Sequence, residues 1–468
     1  MKILGEKIKG ITCNSKAVKK GFVFVAIKGA RQDGSCFIRE AIANGAGVVV
    51  IQKNTRKIEI LQGVKLLRVD DDCKFLAEVS AEFYGHPSDG VKVVGITGTN
   101  GKTTISYLIE AIARESGCGC GVIGTINYRF KGNKISAKNT TPGPVELQGL
   151  LAKMCAQKIK YCAIEVSSHA LDQERVLGIN FRRAIFTNLT QDHLDYHKNF
   201  KNYFLAKAKL FRMLNPGAVA IINNDDKYGR RIKDLISSRC ISYGIKSKST
   251  VMAKQIDSAI WGVRFTLIAP GINTRIKTQL IGLHNIYNIL AAVSWGISEG
   301  LPINRIKSAI ERFKNVPGRL ERVNCNKRLN VFVDYAHTPD ALFNVINALR
   351  PLVAGRIIVV FGCGGERDKL KRPIMGKIVT QLADYAIISS DNPRSENPLR
   401  IIKDIRRGIC KDNYCVIPDR FKAIKEALRL TKGDDCLVIA GKGHEQYQVL
   451  KKRVLHFSDR KVVQQCLR

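Results

Sequence analysis

The hydrophobic positions fall into short runs, each closed by glycine or a polar turn and followed by a stretch of helical spacing. VKVVGI (91–96) leads into TGTNGKTT, YCAIEV (161–166) into SSHA, and AIFTN (184–188) into LTQDHLDYH. The pattern returns in VFVDYAH (331–337), RIIVVFGCGG (356–365), YAIISSDNPR (385–394) and CLVIAGKGHE (436–445). Short Val- and Ile-rich runs alternating with helices predict buried parallel strands. In such α/β sheets ligands bind beyond the carboxyl ends of the strands. Each polar cluster just named stands at such an end, which marks it as a candidate site.

Two turn-rich stretches interrupt the pattern, HPSDG (86–90) and VPGRLERV (316–323). They predict an N-terminal domain over 1–90, a central domain over 91–318 and a C-terminal domain over 319–468, all of α/β class. A length of 468 residues suits about three domains at roughly 100–200 residues each.

Composition changes this picture little. Hydrophobic residues make up 45% and charged residues 25%, as in ordinary globular chains. The net charge is +37, from 77 Lys and Arg against 40 Asp and Glu. The basic residues are spread along the chain, without a basic tail, an RNA-binding aromatic signature or zinc-finger spacing. The excess therefore reads as a surface bias, and no nucleic acid is expected as a partner. The 14 cysteines form no CxxC, which fits a reducing cytosol. The start, MKILGEKIKG, lacks an apolar signal core, and no run approaches 18 apolar residues. A cytoplasmic protein without membrane insertion is expected.

Gly98, Thr99, Asn100, Gly101, Lys102, Thr103 and Thr104 lie between a predicted strand and the helix ISYLIEAIARE. Glycines let backbone N–H groups approach phosphate oxygens, and a helix N-terminus favours their charge. Lys102 can reach the β- and γ-phosphates of ATP, and the Thr103 hydroxyl can ligate Mg²⁺. The strict phosphate-loop spacing would need glycine at Ile96, and Gly95 is one residue early.

Transfer of a phosphoryl group to a carboxylate gathers several anions, which fixed cations and metal ions must offset. Glu165 ends one predicted strand and Asp192-His193 follows another, so both could supply metal ligands near the loop. YFLAKAKLFRML (203–214) reads as an amphipathic helix presenting Lys207 and Lys209. Taken alone these are solvated lysines. A lysine amine that had captured CO₂ as a carbamate would instead act as a carboxylate.

Taken together, GITGTNGKTT, NTTPG, EVSSHALDQER, TNLTQDHLDYH, YFLAKAKLF, GLHNIYN, PGRLER, DYAHTPDAL, GCGGERDKLKRP, DNPR and GKGHE resemble the Mur ligase family over essentially the whole chain. The resemblance is strongest to members that add the third amino acid of the peptidoglycan stem. It implies a central ATP-binding domain flanked by a smaller substrate domain and a Rossmann-like C-terminal domain. Lys207 is similar to the family's carbamylated lysine, and with Thr103, Glu165 and His193 it would hold Mg²⁺. Asn285 and Asn288 resemble adenine-side residues, and Arg319 and Asp334 resemble ATP contacts. Asn139, Thr140, Thr141, Ser167, Gln173 and Arg175 match positions facing the UDP-N-acetylmuramoyl dipeptide. Cys13, Ser15, Ala30, Arg31 and Gln32 match the uridine side. There Asn14 and Lys16 replace the family's acid and arginine, which puts the neighbouring contacts in question.

For the incoming amino acid, the resemblance points to Arg367, Asp391, Asn392, Pro393, Arg394, Gly441 and Glu445. An arginine fork holds a carboxylate through two hydrogen bonds. DNPR is similar to members that use meso-diaminopimelate, whose second carboxylate Arg394 would hold. The implied reaction is ATP-dependent amide formation through an acyl phosphate, carried out by a monomer. The alternatives are a lysine-adding relative, a folate polyglutamate synthetase and an ATP-binding protein without catalysis.

Overall fold

The computed structural model describes all residues except 30–31, 56–62, 324–328, 452 and 468. Three sheets follow one another along the chain. The first has four parallel strands in chain order, Gly10–Thr12, Phe22–Val25, Ala46–Gln52 and Lys65–Val69. Val23, Val25, Val48 and Val50 pack on one face, and Phe24, Val49 and Ile51 on the other. Burial on both faces is why these strands read as continuous apolar runs.

The second sheet has eleven strands. Its parallel heart runs, in spatial order, Cys120–Ile123, Tyr161–Glu165, Lys92–Thr97, Phe181–Phe186, Val219–Asn223 and Arg239–Gly244. The strand Lys92–Thr97 thus has Tyr161–Glu165 on one side and Phe181–Phe186 on the other. Loops leaving these three ends converge on one crevice. Helix Lys102–Glu115 lays Ile105, Leu108, Ile109 and Ile112 on one face of the sheet, beside helix Leu283–Ser298. Helices Pro144–Ala156 and Phe200–Arg212 cover the other face. Beyond the parallel heart, Val251–Ala259, Gly262–Ala269 and Ile272–Thr278 form an antiparallel ladder. This ladder departs from the strand–helix alternation, and its alternating burial marks strands with one solvated face.

In the third sheet the strands Asn330–Asp334, Cys436–Ala440, Ile357–Phe361, Tyr385–Ile388 and Tyr414–Val416 lie side by side and parallel. A hairpin, Tyr447–Leu450 with Arg453–His456, is joined to it where Arg394 bridges Leu450. Among the described residues no helix is long and apolar enough to cross a membrane, and every described cysteine is free.

Candidate active site

The loop after strand Lys92–Thr97 is shaped by its glycines. Gly98 has φ 145°, and a Cβ there would fall 1.8 Å from Thr187 Oγ1. Gly101, at φ 92°, turns the chain into helix Lys102–Glu115. The neighbouring strand end holds the loop: Thr99 N donates to Asn188 O (2.8 Å), Asn100 N to Asn188 Oδ1 (3.0 Å), and Thr187 Oγ1 to Asn100 O (2.6 Å). Thr103 and Thr104 are buried in the first helical turn. Lys102 Nζ folds back to donate to the carbonyls of Gly98 and Thr99, each at 2.8 Å. Burial pushes its ammonium below the ordinary lysine range, while Glu165 and Asp192 pull it up. On the loop's flank, Asn288 Nδ2 donates to Asn285 Oδ1 (3.0 Å). Beside Asn285 opens a cavity of 1370 Å³ whose lining includes Ile281, Leu320, Trp261 and Arg322.

Glu165 ends its strand at 1% exposure. Its carboxylate accepts from Thr103 Oγ1 (2.9 Å), Thr125 Oγ1 (2.9 Å) and Thr125 N (3.1 Å). This is an oxygen-rich corner, the donor type that suits Mg²⁺.

Lys207 is 1% exposed and donates to Gly98 O at 3.0 Å. It shares the buried face of its helix with Tyr203, Phe204, Leu210 and Phe211, so it is not one of the solvated lysines. Lys209, on another face, pairs with Glu174 at 2.7 Å. Burial, reinforced by Lys102, holds the Lys207 ammonium well below the ordinary range. That shift favours the neutral amine, the form of a lysine that reacts with CO₂.

His193 has a left-handed backbone (φ 54°) and lies 3.4 Å from Asp192, with its ring near those of His169 and Tyr203. Burial lowers its pKa against the pull of Asp192, so a ring nitrogen is free to ligate. Among the described residues no three His, Cys, Asp or Glu side chains converge here. A carbamate on Lys207 would add a second carboxylate-like ligand to this corner.

On the substrate side, Thr141, Ser167, Gln173 and Arg175 form one cluster. Thr141 Oγ1 donates to Glu165 O (2.8 Å) and Ser167 N to Thr141 Oγ1 (3.0 Å). Arg175 donates to Thr141 O (3.1 Å) and to Gln173 Oε1 (2.6 Å). Thr140 meets Thr125 at 3.1 Å, and Asn139, exposed, accepts from Tyr128 Oη through its carbonyl.

In the N-terminal domain Cys13 and Gln32 are exposed, and Ala30 and Arg31 lie outside the described residues. Burial pushes the Cys13 thiol up, with Arg175 of the central cluster a weaker opposing influence. Ser15 is buried and donates to Glu40. Asn14 accepts from Lys16 N at 3.1 Å and caps the short turn. Asparagine thus keeps the capping geometry an acid would give.

The third sheet turns its carboxyl ends toward the loop. Arg319 donates to Thr103 Oγ1 at 3.3 Å and stacks 4.5 Å from the Tyr335 ring. Both carboxylate oxygens of Asp334 are engaged by backbone amides, of Leu320 and Ala336. Asp334 therefore shapes the Arg319 loop instead of pointing outward.

Beyond it, Asp391, Asn392 and Pro393 are buried, and Arg394 has φ 52°, in the left-handed region that non-glycine residues avoid. Its guanidinium donates to Gly365 O at 2.7 Å, and Arg367 is exposed nearby. A Cβ on Gly441 would stand 2.9 Å from Asp391 Oδ2.

The residue that sequence reasoning missed is Lys442. Fully buried, it donates to Asn392 Oδ1 and Glu445 Oε2, both at 3.0 Å, and lies 3.7 Å from Asp391. Asn392 Nδ2 donates to the same Glu445 oxygen at 2.8 Å. A lysine between two glycines at a strand end was the available signal.

The chain matches the Mur ligase family catalytic domain over residues 7–84, the Mur ligase middle domain over 96–296 and the Mur ligase glutamate ligase domain over 318–443. It is 43% identical to a UDP-N-acetylmuramoyl-L-alanyl-D-glutamate–2,6-diaminopimelate ligase of Clostridium botulinum, covering 99% of this chain and 96% of that protein. It is 44% identical, with the same coverage, to such a ligase of Clostridium acetobutylicum. A solved structure titled as the same ligase superposes with TM-score 0.69 at 29% identity, covering 98% of this chain and 94% of its own. A folylpolyglutamate synthase of Mycobacterium tuberculosis shares the fold alone, with TM-score 0.66 at 18% identity over 79% of this chain and 92% of that one. Three consecutive domain matches and full-length relatives agree with the strand-end site: the chain belongs to the Mur ligase family.

Proposed function

We propose that this chain joins an amino group of meso-diaminopimelate to the D-glutamate side-chain carboxyl of UDP-N-acetylmuramoyl-L-alanyl-D-glutamate, cleaving ATP to ADP and phosphate. The observation that carries the reading is the meeting of two sites: the Arg319–Thr103 contact sets the phosphate loop against the sheet that bears Arg394, Asn392 and Glu445. The first site transfers a phosphoryl group, and the second holds a charged amino acid.

The D-glutamate carboxylate attacks the γ-phosphorus of ATP and forms an acyl phosphate. Lys102 and Arg319 stabilise the charge on the transferring group. The amine then attacks the acyl carbon, and the tetrahedral intermediate collapses with loss of phosphate. Asn285, Asn288 and the adjoining cavity would take the nucleoside end. Thr141, Ser167, Gln173 and Arg175 would orient the muramoyl peptide.

Thr103, Glu165, His193 and carbamylated Lys207 would hold Mg²⁺. When bound, the ion offsets charge on the phosphates. Arg394 would grip the distal carboxylate of the amino acid, and Glu445 its ammonium. The enzyme would act in the cytoplasm, on peptidoglycan precursors.

The test supplies UDP-N-acetylmuramoyl-L-alanyl-D-glutamate and ATP with a panel of amino acids, and reads phosphate release and product mass. Amide formation with meso-diaminopimelate is expected. Equal efficiency with lysine would overturn the amino-acid assignment, and no amide with any member of the panel would overturn the ligase reading.

A further inference from the structure

A contact between the C-terminal domain and the phosphate loop has no role in the scheme above. Asp340 stands in the first turn of helix Pro339–Leu349, two residues after its N-cap Thr338. Its Oδ2 accepts from Asn100 Nδ2 at 2.8 Å and from Thr190 Oγ1 at 3.1 Å. Asn100 lies in the phosphate loop between Gly98 and Gly101. Thr190 belongs to the loop that leads to Asp192 and His193, and its N donates to Thr99 Oγ1 at 3.1 Å. One carboxylate oxygen of the third domain therefore grips both loops of the central site. Burial raises the Asp340 carboxyl pKa, and the Asn100 and Thr190 hydrogen bonds lower it.

The other bridge in this region has a different fate. Arg319 is a cation beside Thr103, where an incoming triphosphate would claim it. Asp340 offers phosphate no positive charge, and its side-chain oxygen is taken by the protein donors Asn100 and Thr190. Its link can persist while nucleotide is bound. We propose that Asp340 is a positioning residue that keeps the C-terminal domain docked on the phosphate loop through both chemical steps, so that amine reaches the acyl phosphate before water does. This inference rests on the ligase reading. Closure of this kind excludes water from a reactive intermediate.

The test compares wild-type protein with Asp340→Ala, Asp340→Asn and Thr190→Val, reading phosphate released and amide formed in the same reaction. Wild type is expected to release one phosphate per amide. Asp340→Ala should lower the rate of amide formation by about 10- to 100-fold and release several phosphates per amide, since the acyl phosphate now meets water. Asp340→Asn, which keeps one acceptor oxygen, and Thr190→Val should fall between. If Asp340→Ala fails to fold, those two milder variants read the same ratio. A one-to-one ratio in every folded variant would overturn the proposal, whether or not the rates fall. Absence of amide with wild-type protein would overturn the ligase reading and this inference together.

Discussion

The two halves of the site bury lysines in opposite ways. At the phosphate loop, Lys102 and Lys207 donate to the backbone carbonyls of Gly98 and Thr99. Burial pushes both ammonium groups below the ordinary range, and Lys102 depresses Lys207 further. In the C-terminal domain, Lys442 is bound by Asn392 and Glu445, and the fully buried Arg420 makes two 2.8 Å bonds to Asp459. A desolvated base whose hydrogen bonds go to carbonyl dipoles is poised for incoming charge or for reaction with CO₂. A desolvated cation bound to carboxylates is structure. The loop half thus holds its buried lysines on backbone carbonyls, and the amino-acid half holds its buried cations on carboxylates.

The largest expected effects break the loop half. Lys207→Ala should lower turnover by about 10³-fold or more, and Lys102→Ala by about 10²–10³-fold. Neither should destabilise the protein much, because each removes a buried base without a carboxylate partner. Added bicarbonate should not restore Lys207→Ala, whereas short carboxylic acids that replace the ligand oxygens should restore part of its activity. Steady-state rates and melting curves on the same preparations check both statements. A large drop in melting temperature for Lys207→Ala would collapse the distinction between the two halves.

Asp459→Asn is the counterpart in the other half. Breaking a buried ion pair from one side costs about 3–5 kcal/mol, because the remaining charge is left uncompensated. Denaturant titration should show an early transition of the C-terminal domain, with the variant still binding nucleotide at low denaturant. An unshifted transition would mean that Arg420 is satisfied without Asp459.

Arg394 sharpens the comparison by activity. A site built around a carboxylate-binding arginine rejects an analogue that lacks the carboxylate, so wild type should prefer meso-diaminopimelate over lysine by about 10²-fold or more in kcat/KM. Arg394→Ala should lose most of that preference through a raised KM for the amino acid, with KM for ATP little changed. A variant that retained full selectivity would move recognition of the distal carboxylate to another group, with Arg367 the nearest candidate.

Much of this arrangement is legible in the sequence. The strand ends after 97, 165, 361, 388 and 440 are all parallel and all border the site, because buried parallel strands carry uninterrupted apolar runs. Lys207 was readable too: it stands four residues after Tyr203 and three before Leu210, on the apolar stripe of its own helix. What the sequence hides is pairing across domains. Nothing local tells that Asp340 reaches Asn100, or that Asp334 spends both oxygens on backbone amides. The antiparallel ladder over 251–278 was hidden differently: its strands alternate apolar and polar residues and lack the uninterrupted apolar runs of the buried parallel strands. Lys442 was passed over because one lysine between glycines does not announce whether it faces water or Glu445.

The smallest effect concerns acid. Burial pushes His284 down to about 4, and it sits on the central helix beside Asn285, on the loop half of the comparison. An unfolded histidine titrates near 6.5. Between about 6.5 and 4 the unfolded chain therefore binds a proton at this position that the folded chain does not. Stability from this residue is complete above about 6.5 and is lost as pH falls through that window. His284→Gln removes the term. Other groups titrate in the same range, but they are shared by both proteins and cancel in the difference. Melting temperatures measured from pH 8 to pH 4.5 should show wild type losing more than the variant, by about 1–3 °C. The two curves should run in parallel above neutrality and converge below it. Parallel curves throughout would place the imidazole in contact with water, and the loop half would then lose one of the desolvated bases that set it apart from the paired cations of the C-terminal domain.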